Sequence, residues 1–341
     1  MQDIKIIHLI YADTVGGVEI GAKLAQKELD GKLDYKIKFI FRPHDNFIIK
    51  IIKFFKTIKI IINENKAEKN YIILSSLWMS HIISLIVKYL SKNVTWISFL
   101  HNTRYTNIIS YLINTKITRL ADKQVFDSYS TAKAYNAKSV NNERIINYFF
   151  NKYNLKKFDI KDWSNREFDF ITVGTNTKQK GFLELEKFCR CISEKYFSRP
   201  KIMVITNNSN KIIDLEKLKK KLHLICDVNY ELNLTNEAVL KMMTNSKIYF
   251  CLSRYEGFGI TIVEALLSGC FLITTNVGEQ QYYLDQNRRL ILNKSNNYNL
   301  DYKYINENGP LDKNFKNAKK FLYQNVNSYT ESLKRIVLEN K

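Results

Sequence analysis

Two glutamates with seven residues between them, Glu256 and Glu264, form the pair best suited to chemistry in this sequence. A carboxylate can accept hydrogen bonds from two neighbouring hydroxyl groups at once, as a sugar or a ribose presents them. Gly257 and Gly259 lie between the glutamates and let the backbone turn tightly and approach a ligand. Alternatively, both glutamates are solvated charges near a helix end, where Glu264 favours the helix dipole. The pattern indicates a site for a hydroxylated ligand.

The residues after this loop predict an anion site. A strand is expected at 248–253 and a helix at 260–268. The first amides of that helix, at Ile260 and Thr261, would form an N-terminus suited to a phosphate. Two carboxylates beside an anion site are well suited to binding hydroxyl groups of a sugar and of a ribose.

Strands alternate with helices along the chain, and these elements must position the site. In the first half, strands are predicted at 5–11, 35–41, 71–74, 94–100 and 124–126, and helices at 18–29, 79–90 and 108–120. In the second half, strands are predicted at 168–173, 201–206, 223–226, 248–253 and 271–274, and helices at 182–195, 237–244 and 260–268. The amphipathic stretch at 314–340 is expected to be a long or a broken helix. The alternation predicts parallel sheets with helices on both faces.

Two doubly wound α/β domains follow from this order. We expect an N-terminal domain at 1–150, a linker at 151–166, a C-terminal domain at 167–315 and a last helix at 316–341 that packs back towards the first domain. Ligands of such sheets bind near the carboxyl ends of the strands, so we expect the substrates in a central cleft between the two domains.

The segment at 253–266 resembles the glutamate motif of retaining GT-B glycosyltransferases, especially family 4. The similarity includes both glutamates, the Gly-Phe-Gly between them, the Glu-Ala-Leu at 264–266 and Gly269 before the next strand. The resemblance implies a GT-B fold of two Rossmann-like domains, with Glu256 on hydroxyls of the donor sugar and Glu264 on the ribose of the nucleotide. The other donor-binding residues expected in this segment are Arg254, Gly257, Phe258, Gly259, Ile260 and Thr261.

The loop at 174–181 resembles the family's pattern of glycine, arginine, a short spacer and lysine-glycine. In the family, the arginine and the lysine neutralise the donor diphosphate. Lys180 matches the lysine, whereas Thr175 stands where the arginine is expected, which removes one bidentate cation. We expect Lys178 or Arg254 to replace it. The alternative for both lysines is a solvated turn.

Two features of the first half extend the resemblance. Gly16 and Gly17 resemble the family's N-domain glycine loop, which contacts the donor's phosphate and sugar, although alone they would be a simple turn between a strand and a helix. His101 ends the strand at 94–100 and matches a position where many relatives place a histidine facing the donor sugar. The alternative is a polar structural histidine. The resemblance thus assigns catalytic roles to His101, Lys180 and Glu256.

The resemblance also implies a mechanism without a covalent nucleophile. In front-face substitution, the departing diphosphate oxygen helps to deprotonate the acceptor hydroxyl, and the anomeric configuration is retained. Catalysis then rests on electrostatic stabilisation and positioning. The nucleotide diphosphate sugar, UDP- or GDP-linked, is a co-substrate, so no cofactor is expected. The sequence has no Asp-x-Asp motif, and no metal is expected either.

A basic, apolar segment at 47–62 predicts an amphipathic helix. Lys50, Lys53, Lys56 and Lys59 fall on one half of the helical wheel, and apolar side chains fill the other half. Such a helix suits anionic lipid, to which each nearby lysine contributes about 1 kcal/mol. We therefore expect a membrane and acceptor surface here. The alternative is a surface helix with its apolar half against the sheet.

The chain has 53 lysines and arginines against 33 aspartates and glutamates, a net charge of +20. This surplus attracts phosphates, anionic membranes or nucleic acid, but A/T-rich codons account for part of it, and no nucleic-acid motif is found. No stretch approaches the roughly 20 apolar residues of a spanning helix, and no signal-peptide pattern is seen. We expect a cytoplasmic protein that is peripheral on the inner face of the cell membrane.

The leading hypothesis is a retaining glycosyltransferase. Its acceptor would be a cell-surface glycan, namely a lipid-linked saccharide, a lipopolysaccharide or a capsule. One alternative is a nucleotide-sugar epimerase of GT-B fold, which would isomerise the donor without transfer. Another is a catalytically weakened sugar-binding or scaffolding relative, suggested by Thr175 and opposed by the presence of Lys180 and both glutamates.

Overall fold

The structure is a computed structural model of the 341-residue chain. It describes residues 4–14, 16–66, 70–91, 93–101, 103–104, 107–135, 144–148, 160–196, 199–207, 214–280, 289–292, 298, 300–310 and 312–338. Most of the predicted linker, at 151–159, lies outside these residues. Contacts divide the chain into two units, Met1–Lys152 with Asn327–Lys341 and Tyr153–Val326. Each unit is built on its own parallel sheet.

The first unit has a five-stranded sheet with the order β2-β1-β3-β4-β5. The strands are β1 (Ile4–Ala12), β2 (Asp34–Phe41), β3 (Asn70–Ser76), β4 (Val94–Leu100) and β5 (Lys123–Phe126). Ile6, Ile7, Leu9 and Ile10 of β1 are all buried, because helices cover both faces of the sheet. The strand order reverses between β1 and β3, the place where ligands of such sheets bind.

Among the described residues of the first unit, five helices follow its strands. They are α1 (Gly17–Leu29), α2 (Phe47–Lys66), α3 (Trp78–Leu90), α4 (Ile108–Thr115) and α5 (Tyr129–Ala134). A capping box of Asn107 and Ser110 begins α4, and a 3-10 turn at Ile117–Leu120 follows it. Helices α2, α3 and α4 connect β2 to β3, β3 to β4 and β4 to β5, and all three connections run in the same direction across the sheet. The three helices therefore pack side by side on one face of the sheet.

The second unit has a six-stranded sheet with the order β11-β10-β9-β6-β7-β8. The strands are β6 (Phe168–Val173), β7 (Lys201–Thr206), β8 (Asp227–Leu232), β9 (Ser246–Cys251), β10 (Phe271–Thr275) and β11 (Arg289–Leu292). Phe188 stacks on Phe250 and meets Phe170 edge to face in the core. Here the order reverses between β6 and β9.

The remaining helices in the described part of the chain are α6 (Leu185–Lys195), α7 (Leu215–His223), α8 (Asn236–Thr244), α9 (Ile260–Leu267), α10 (Tyr302–Asn308), α11 (Asp312–Asn325) and α12 (Tyr329–Leu338). A short 3-10 turn, Phe182–Glu184, precedes α6. The last helix, α12, belongs to the first unit, where Thr330 donates a hydrogen bond to Glu28 of α1 at 2.7 Å.

The predicted fold class, two Rossmann-like α/β domains, is confirmed, and one element prediction is wrong. The strand expected at 223–226 is instead the last residue of α7 followed by a turn that leads into β8. Strand β8 lies at the sheet edge, and its polar residues Asp227, Asn229 and Glu231 break the apolar run that would have marked it. Of the two forms expected at 314–340, a long helix or a broken one, the structure has the broken form: α11 and α12 are separated by residues 326–328.

Candidate active site

Three loops of the second unit lie at the carboxyl ends of its central strands. They cover residues 174–181 after β6, 252–259 after β9 and 276–280 after β10. Strands β6 and β9 are neighbours where the strand order reverses, so their loops lie side by side. Most of the predicted donor-binding residues are on these two loops or on α9. The remaining predicted residues, Gly16, Gly17, His101 and the four lysines of α2, belong to the first unit.

Lys180 and Glu256 form an ion pair across the first two loops. Lys180 Nζ donates to Glu256 Oε1 at 2.7 Å and to Oε2 at 2.9 Å. The hydroxyl of Ser253 donates to Glu256 Oε1 at 2.6 Å. The glutamate exposes 9% of its side chain and the lysine 23%. The carboxylate is therefore mostly enclosed, while the ammonium is partly accessible.

Burial and the carboxylate act in opposite directions on the pKa of Lys180. Burial is the largest influence and disfavours the ammonium. The attraction of Glu256 and its hydrogen bond, together with Cys251 and Tyr255, outweigh burial, so the pKa of Lys180 is raised above its ordinary value. Lys180 is therefore a cation at neutral pH, the state that binding a diphosphate requires.

Backbone contacts fix these two loops to each other. The amide of Arg254 donates to the carbonyl of Gln179 at 2.7 Å. Gln179 Nε2 donates to the carbonyl of Tyr255 at 3.2 Å. Gly181 has a φ of +74°, and a Cβ there would collide with the carbonyl oxygen of Leu252. Only a glycine permits both this conformation and this approach.

Helix α9 begins after Gly259, which has a left-handed φ of +81°. The amides of Ile260 and Thr261 are at its N-terminus, where backbone donors lack partners within the helix. Glu264 lies one turn further on, is 2% exposed and accepts a hydrogen bond from Asn236 Nδ2 at 2.7 Å. The sequence did not single out Asn236, which begins α8 and positions this carboxylate.

The end of β10 and the loop that follows it contact the loop that carries Glu256. Gly278 has a φ of +65°, and a Cβ there would lie 2.7 Å from the carbonyl oxygen of Gly257. The hydroxyl of Thr275 donates to the carbonyl of Ser253. Phe258 is buried, at 2% exposed. The Gly-Phe-Gly sequence at 257–259 thus packs against other residues of the second unit, and it also leads into α9.

The three side chains expected near the diphosphate differ in their partners. Thr175 Oγ1 lies 3.4 Å from Thr177 Oγ1. Arg254 forms an ion pair with Glu184 at 3.1 Å. Lys178 is exposed, and no residue in the described part of the chain forms an ion pair with it. Of the two substitutes expected for the missing arginine, Lys178 is therefore the more available cation.

The glycine loop of the first unit encloses a carboxylate that the sequence analysis missed. Gly16 is the N-cap of α1, Gly17 is the first residue of the helix, and a Cβ on Gly16 would collide with the carboxylate of Glu19. Thr14 donates to Glu19 at 2.8 Å. Burial raises the pKa of Glu19, although hydrogen bonds from its own backbone and from Thr14 oppose the rise. Its position three residues after the N-cap, where capping carboxylates lie, was the available signal.

His101 is buried at the end of β4, with 6% of its surface exposed. Its Nε2 lies 2.8 Å from the hydroxyl of Ser76. Its Nδ1 is buried and has no hydrogen-bond partner among the residues that the structure describes. Burial, aided by the proximity of His8 and His81, holds the pKa of His101 well below its ordinary value. The ring is therefore neutral.

A pocket of about 220 Å³ lies within the first unit, beside His101. Leu77, another lining residue, has φ +71° and ψ +152°, a conformation that costs of order 1–3 kcal/mol in a residue with a side chain. Strain of this kind is concentrated at functional sites. Further residues that line the pocket include Tyr11, Trp78, His81, Ser110 and Asn114.

The two halves of α2 differ in their surroundings. In the second half, Ile58 and Ile61 are buried in the core against the sheet. In the first half, six large apolar side chains are exposed: Phe47, Ile48, Ile49, Ile51, Ile52 and Phe55. The alternative of a surface helix with its apolar side against the sheet thus describes the second half of α2. The first half exposes an apolar surface.

The four lysines of α2 are not equivalent. Lys53 pairs with Asp45 at 2.6 Å, whereas no ion pair to Lys50, Lys56 or Lys59 occurs within the described stretches. Helix α4, which the sequence analysis did not consider for this role, also exposes Ile108, Ile109, Tyr111 and Leu112.

Two kinds of feature are absent from the described residues. No group of three or more histidine, cysteine, aspartate or glutamate side chains in this part of the chain could hold a metal ion. None of its helices is long and apolar enough to cross a membrane.

Solved structures of known proteins resemble the chain over almost its whole length. Sucrose-phosphate synthase from Thermosynechococcus elongatus has a TM-score of 0.71 at 13% identity, with 98% of each chain covered. Anabaena HepE in complex with UDP and glucose has a TM-score of 0.70 at 12% identity, covering 99% of this chain and 100% of HepE. The lipopolysaccharide outer core galactosyltransferase WaaB has a TM-score of 0.65 at 12% identity, with the same coverage. At these identities the likeness establishes the fold, which is GT-B.

No curated protein sequence matches the chain. Residues 155–320 match the family described as Glycosyl transferases group 1. This stretch contains the loops with Lys180 and Glu256, as well as α9 with Glu264. The family match therefore covers most of the second unit, Tyr153–Val326.

Proposed function

We propose that this chain is a retaining glycosyltransferase of family 4, which moves a sugar from a nucleotide diphosphate sugar to a glycan hydroxyl. The observation that carries the proposal is the Lys180–Glu256 ion pair where the strand order of the second unit reverses, close to the N-terminus of α9. A cation and helix amides suit a diphosphate, and carboxylates suit hydroxyl groups. In this arrangement Glu256 binds the donor sugar, and Glu264 binds the ribose.

The proposed reaction uses charge and position rather than a covalent nucleophile. The bond from the anomeric carbon to the diphosphate oxygen breaks, and the acceptor oxygen bonds to the same face of the sugar. The acceptor proton passes to the departing diphosphate oxygen. Lys180 and the amides of Ile260 and Thr261 stabilise the charge that develops there. Lys178 supplies the second positive charge in place of the arginine.

UDP is the preferred nucleotide in this proposal, and GDP is the alternative. The HepE structure holds UDP and glucose, which supports a donor of this kind. The nucleotide and the sugar can both be identified by thermal stabilisation and by slow hydrolysis in a panel of UDP- and GDP-linked sugars.

The decisive test compares two glutamate variants with the best donor of that panel. Glu256→Gln is expected to lower the rate of donor hydrolysis and of transfer at least a hundredfold, because it removes the charge that orients both Lys180 and the sugar. The control, Glu186→Gln, changes a glutamate of α6 that pairs with Lys221 away from these loops. Equal activity of both variants, or binding of nucleotide sugars without any turnover, would favour the sugar-binding alternative.

The acceptor in this proposal is a lipid-linked saccharide, a lipopolysaccharide or a capsule glycan. The protein would act on the inner face of the cell membrane, held there by the exposed half of α2. Apolar side chains next to Lys50, Lys56 and Lys59 match an anionic lipid surface in both hydrophobicity and charge. That WaaB is a lipopolysaccharide outer core galactosyltransferase supports an acceptor of this class.

Vesicle sedimentation tests the membrane part of the proposal. Changing Lys50, Lys56 and Lys59 together to Glu should weaken binding to anionic vesicles about a hundredfold or more, because three lysines contribute about 3 kcal/mol. A matched triple change of exposed lysines on helices of the second unit serves as the control: Lys217, Lys220 and Lys241 to Glu. Equal loss in both triple variants would indicate attraction by net charge alone, and no loss in either would refute the α2 surface.

A further inference from the structure

Three strands of the first unit contribute to a continuous hydrogen-bonded relay that ends at His101. Tyr35 of β2 has its hydroxyl 2.5 Å from His8 Nδ1 of β1. His8 Nε2 lies 2.7 Å from the hydroxyl of Ser76, at the end of β3. The same hydroxyl lies 2.8 Å from His101 Nε2. All four side chains are buried, so the relay is shielded from water.

The direction of the relay follows from the donors and acceptors available. A phenol is a stronger donor than a neutral imidazole, and an imidazole nitrogen is a stronger acceptor than a phenol oxygen. Tyr35 therefore donates to His8 Nδ1, which leaves the proton of His8 on Nε2, where it is donated to Ser76. The hydroxyl of Ser76 has one proton, and the remaining acceptor within reach is His101 Nε2.

This direction fixes the tautomer of His101. Because Nε2 accepts from Ser76, a neutral ring carries its proton on Nδ1. That nitrogen is buried and has no acceptor within the described part of the chain, an arrangement that is costly unless a ligand supplies one. The ring also lines the pocket of the first unit, together with the aromatic side chains of Tyr11 and Trp78 and the polar side chains of Ser110 and Asn114.

We propose that Tyr35, His8 and Ser76 are positioning residues that hold His101 as an Nδ1–H donor to an oxygen of a sugar bound in this pocket. His101 then acts as a neutral hydrogen-bond donor and cannot serve as a general base. The aromatic faces suit the apolar side of a sugar ring, and the polar groups suit its hydroxyls. The identity of the ligand rests on the proposed function, whereas the tautomer does not.

Nitrogen-15 NMR of protein labelled at histidine reads the tautomers directly. The chain has five histidines, so two-bond nitrogen–proton spectra resolve them, and His101→Asn assigns the signal of interest. We expect His101 protonated at Nδ1 and His8 protonated at Nε2. Ser76→Ala removes the hydroxyl that donates a hydrogen bond to His101 Nε2. In this variant the ring of His101 should therefore change towards the tautomer that carries its proton on Nε2. His101 protonated at Nε2 in the unaltered protein would overturn the proposal.

The control is Ser75→Ala, the same change one residue earlier on β3. Ser75 contacts His81 Nδ1 at 2.8 Å and accepts from Trp96 at 2.7 Å, so it is buried and bonded to another histidine. It should leave the tautomer of His101 unchanged. A shift of His101 in this variant as large as in Ser76→Ala would mean that packing, rather than the relay, sets the tautomer.

Kinetics then test whether the donor matters to the reaction. Ser76→Ala should lower kcat/KM for the nucleotide sugar and acceptor about tenfold, the size expected for one misdirected hydrogen bond. In a protein that already carries His101→Asn, the side-chain amide supplies a donor whether or not residue 76 is a serine. Adding Ser76→Ala to this variant should therefore lower kcat/KM less than twofold. Equal losses in both backgrounds would overturn the ligand role. A chain with the expected tautomers that transfers no sugar would refute the proposed function while supporting the relay.

Discussion

Lys180 and Glu256 depend on each other because each is the counter-charge of a partly enclosed group. Removing one partner of a fully buried pair costs about 3–5 kcal/mol. Lys180 is 23% exposed, so for Lys180→Met we expect a smaller loss in the free energy of unfolding, about 2–3 kcal/mol. The double variant Lys180→Met with Glu256→Gln should lose less than the sum of its single changes.

Urea unfolding measures these differences, with Lys178→Met as the control. That lysine lies two positions away on the same loop and is exposed, so its change should stay within about 0.5 kcal/mol. A Lys180→Met variant as stable as Lys178→Met would show that the ion pair has no structural role.

The carboxyl group of Glu19 should make the stability of the fold depend on pH. Because its folded-state pKa is raised, its protonated form stabilises the fold below about pH 4.5, and this contribution is lost as the pH rises through the folded pKa. The stability of Glu19→Gln relative to the unaltered protein should therefore increase from pH 4.5 to 7.5. In the control, Glu186→Gln, the relative stability should stay nearly constant over this range, because Lys221 lowers the pKa of Glu186 and its contribution to stability therefore changes below pH 4.5. Parallel curves for both variants and the unaltered protein would contradict this.

At the scale of elements, the loop after β6 can be tested through its glycine. Gly181→Ala and Gly31→Ala place the same side chain at a positive φ, +74° and +70° respectively. A Cβ at position 181 would collide with the carbonyl of Leu252, whereas nothing lies within 4 Å of one at position 31. Gly31→Ala should cost about 1 kcal/mol from the backbone alone. Gly181→Ala should cost clearly more and also weaken nucleotide-sugar binding. Equal melting temperatures would contradict the close approach.

The sequence predicted elements where one physical signal dominated. The strand at 94–100 was found with its bounds because it is rich in β-branched and aromatic residues, and the glutamate motif was found because its glycines and carboxylates are close in sequence. Asn236 and Ser76 could not be found this way. They meet Glu264 and His101 only after the chain folds, and each is a small polar residue without a motif of its own.

The uneven packing of α2 predicts two separable phenotypes. Ile61→Ala empties a buried position and should lower the free energy of unfolding by about 2–4 kcal/mol. Ile52→Ala, at 59% exposed, should change stability by less than about 0.5 kcal/mol but reduce vesicle binding. Thermal unfolding and vesicle sedimentation on the same two variants check this. Reduced vesicle binding without loss of stability in Ile61→Ala would contradict the assignment of the two halves.

At the scale of the whole molecule, the buried histidines are distributed unevenly. His8, His81 and His101 all belong to the first unit, and burial lowers the pKa of His8 and of His81 to about 3. Their neutral rings stabilise the fold above pH 6.5, and this stabilisation is lost as the pH falls from 6.5 towards 3. Each such histidine removes up to about 1.4 kcal/mol per pH unit in that window. His223 of the second unit is exposed.

The first unit should therefore open at a higher pH than the second. Hydrogen exchange read by mass spectrometry between pH 7.5 and 5, corrected for the intrinsic rates, should show early loss of protection in β1, β3 and β4 and sustained protection in β6 and β9. His8→Gln keeps polar atoms at that position but removes one titrating group, so it should flatten the pH dependence of the first unit only. Simultaneous loss of protection in both units would mean that carboxylates, rather than these histidines, set the acid sensitivity of the protein.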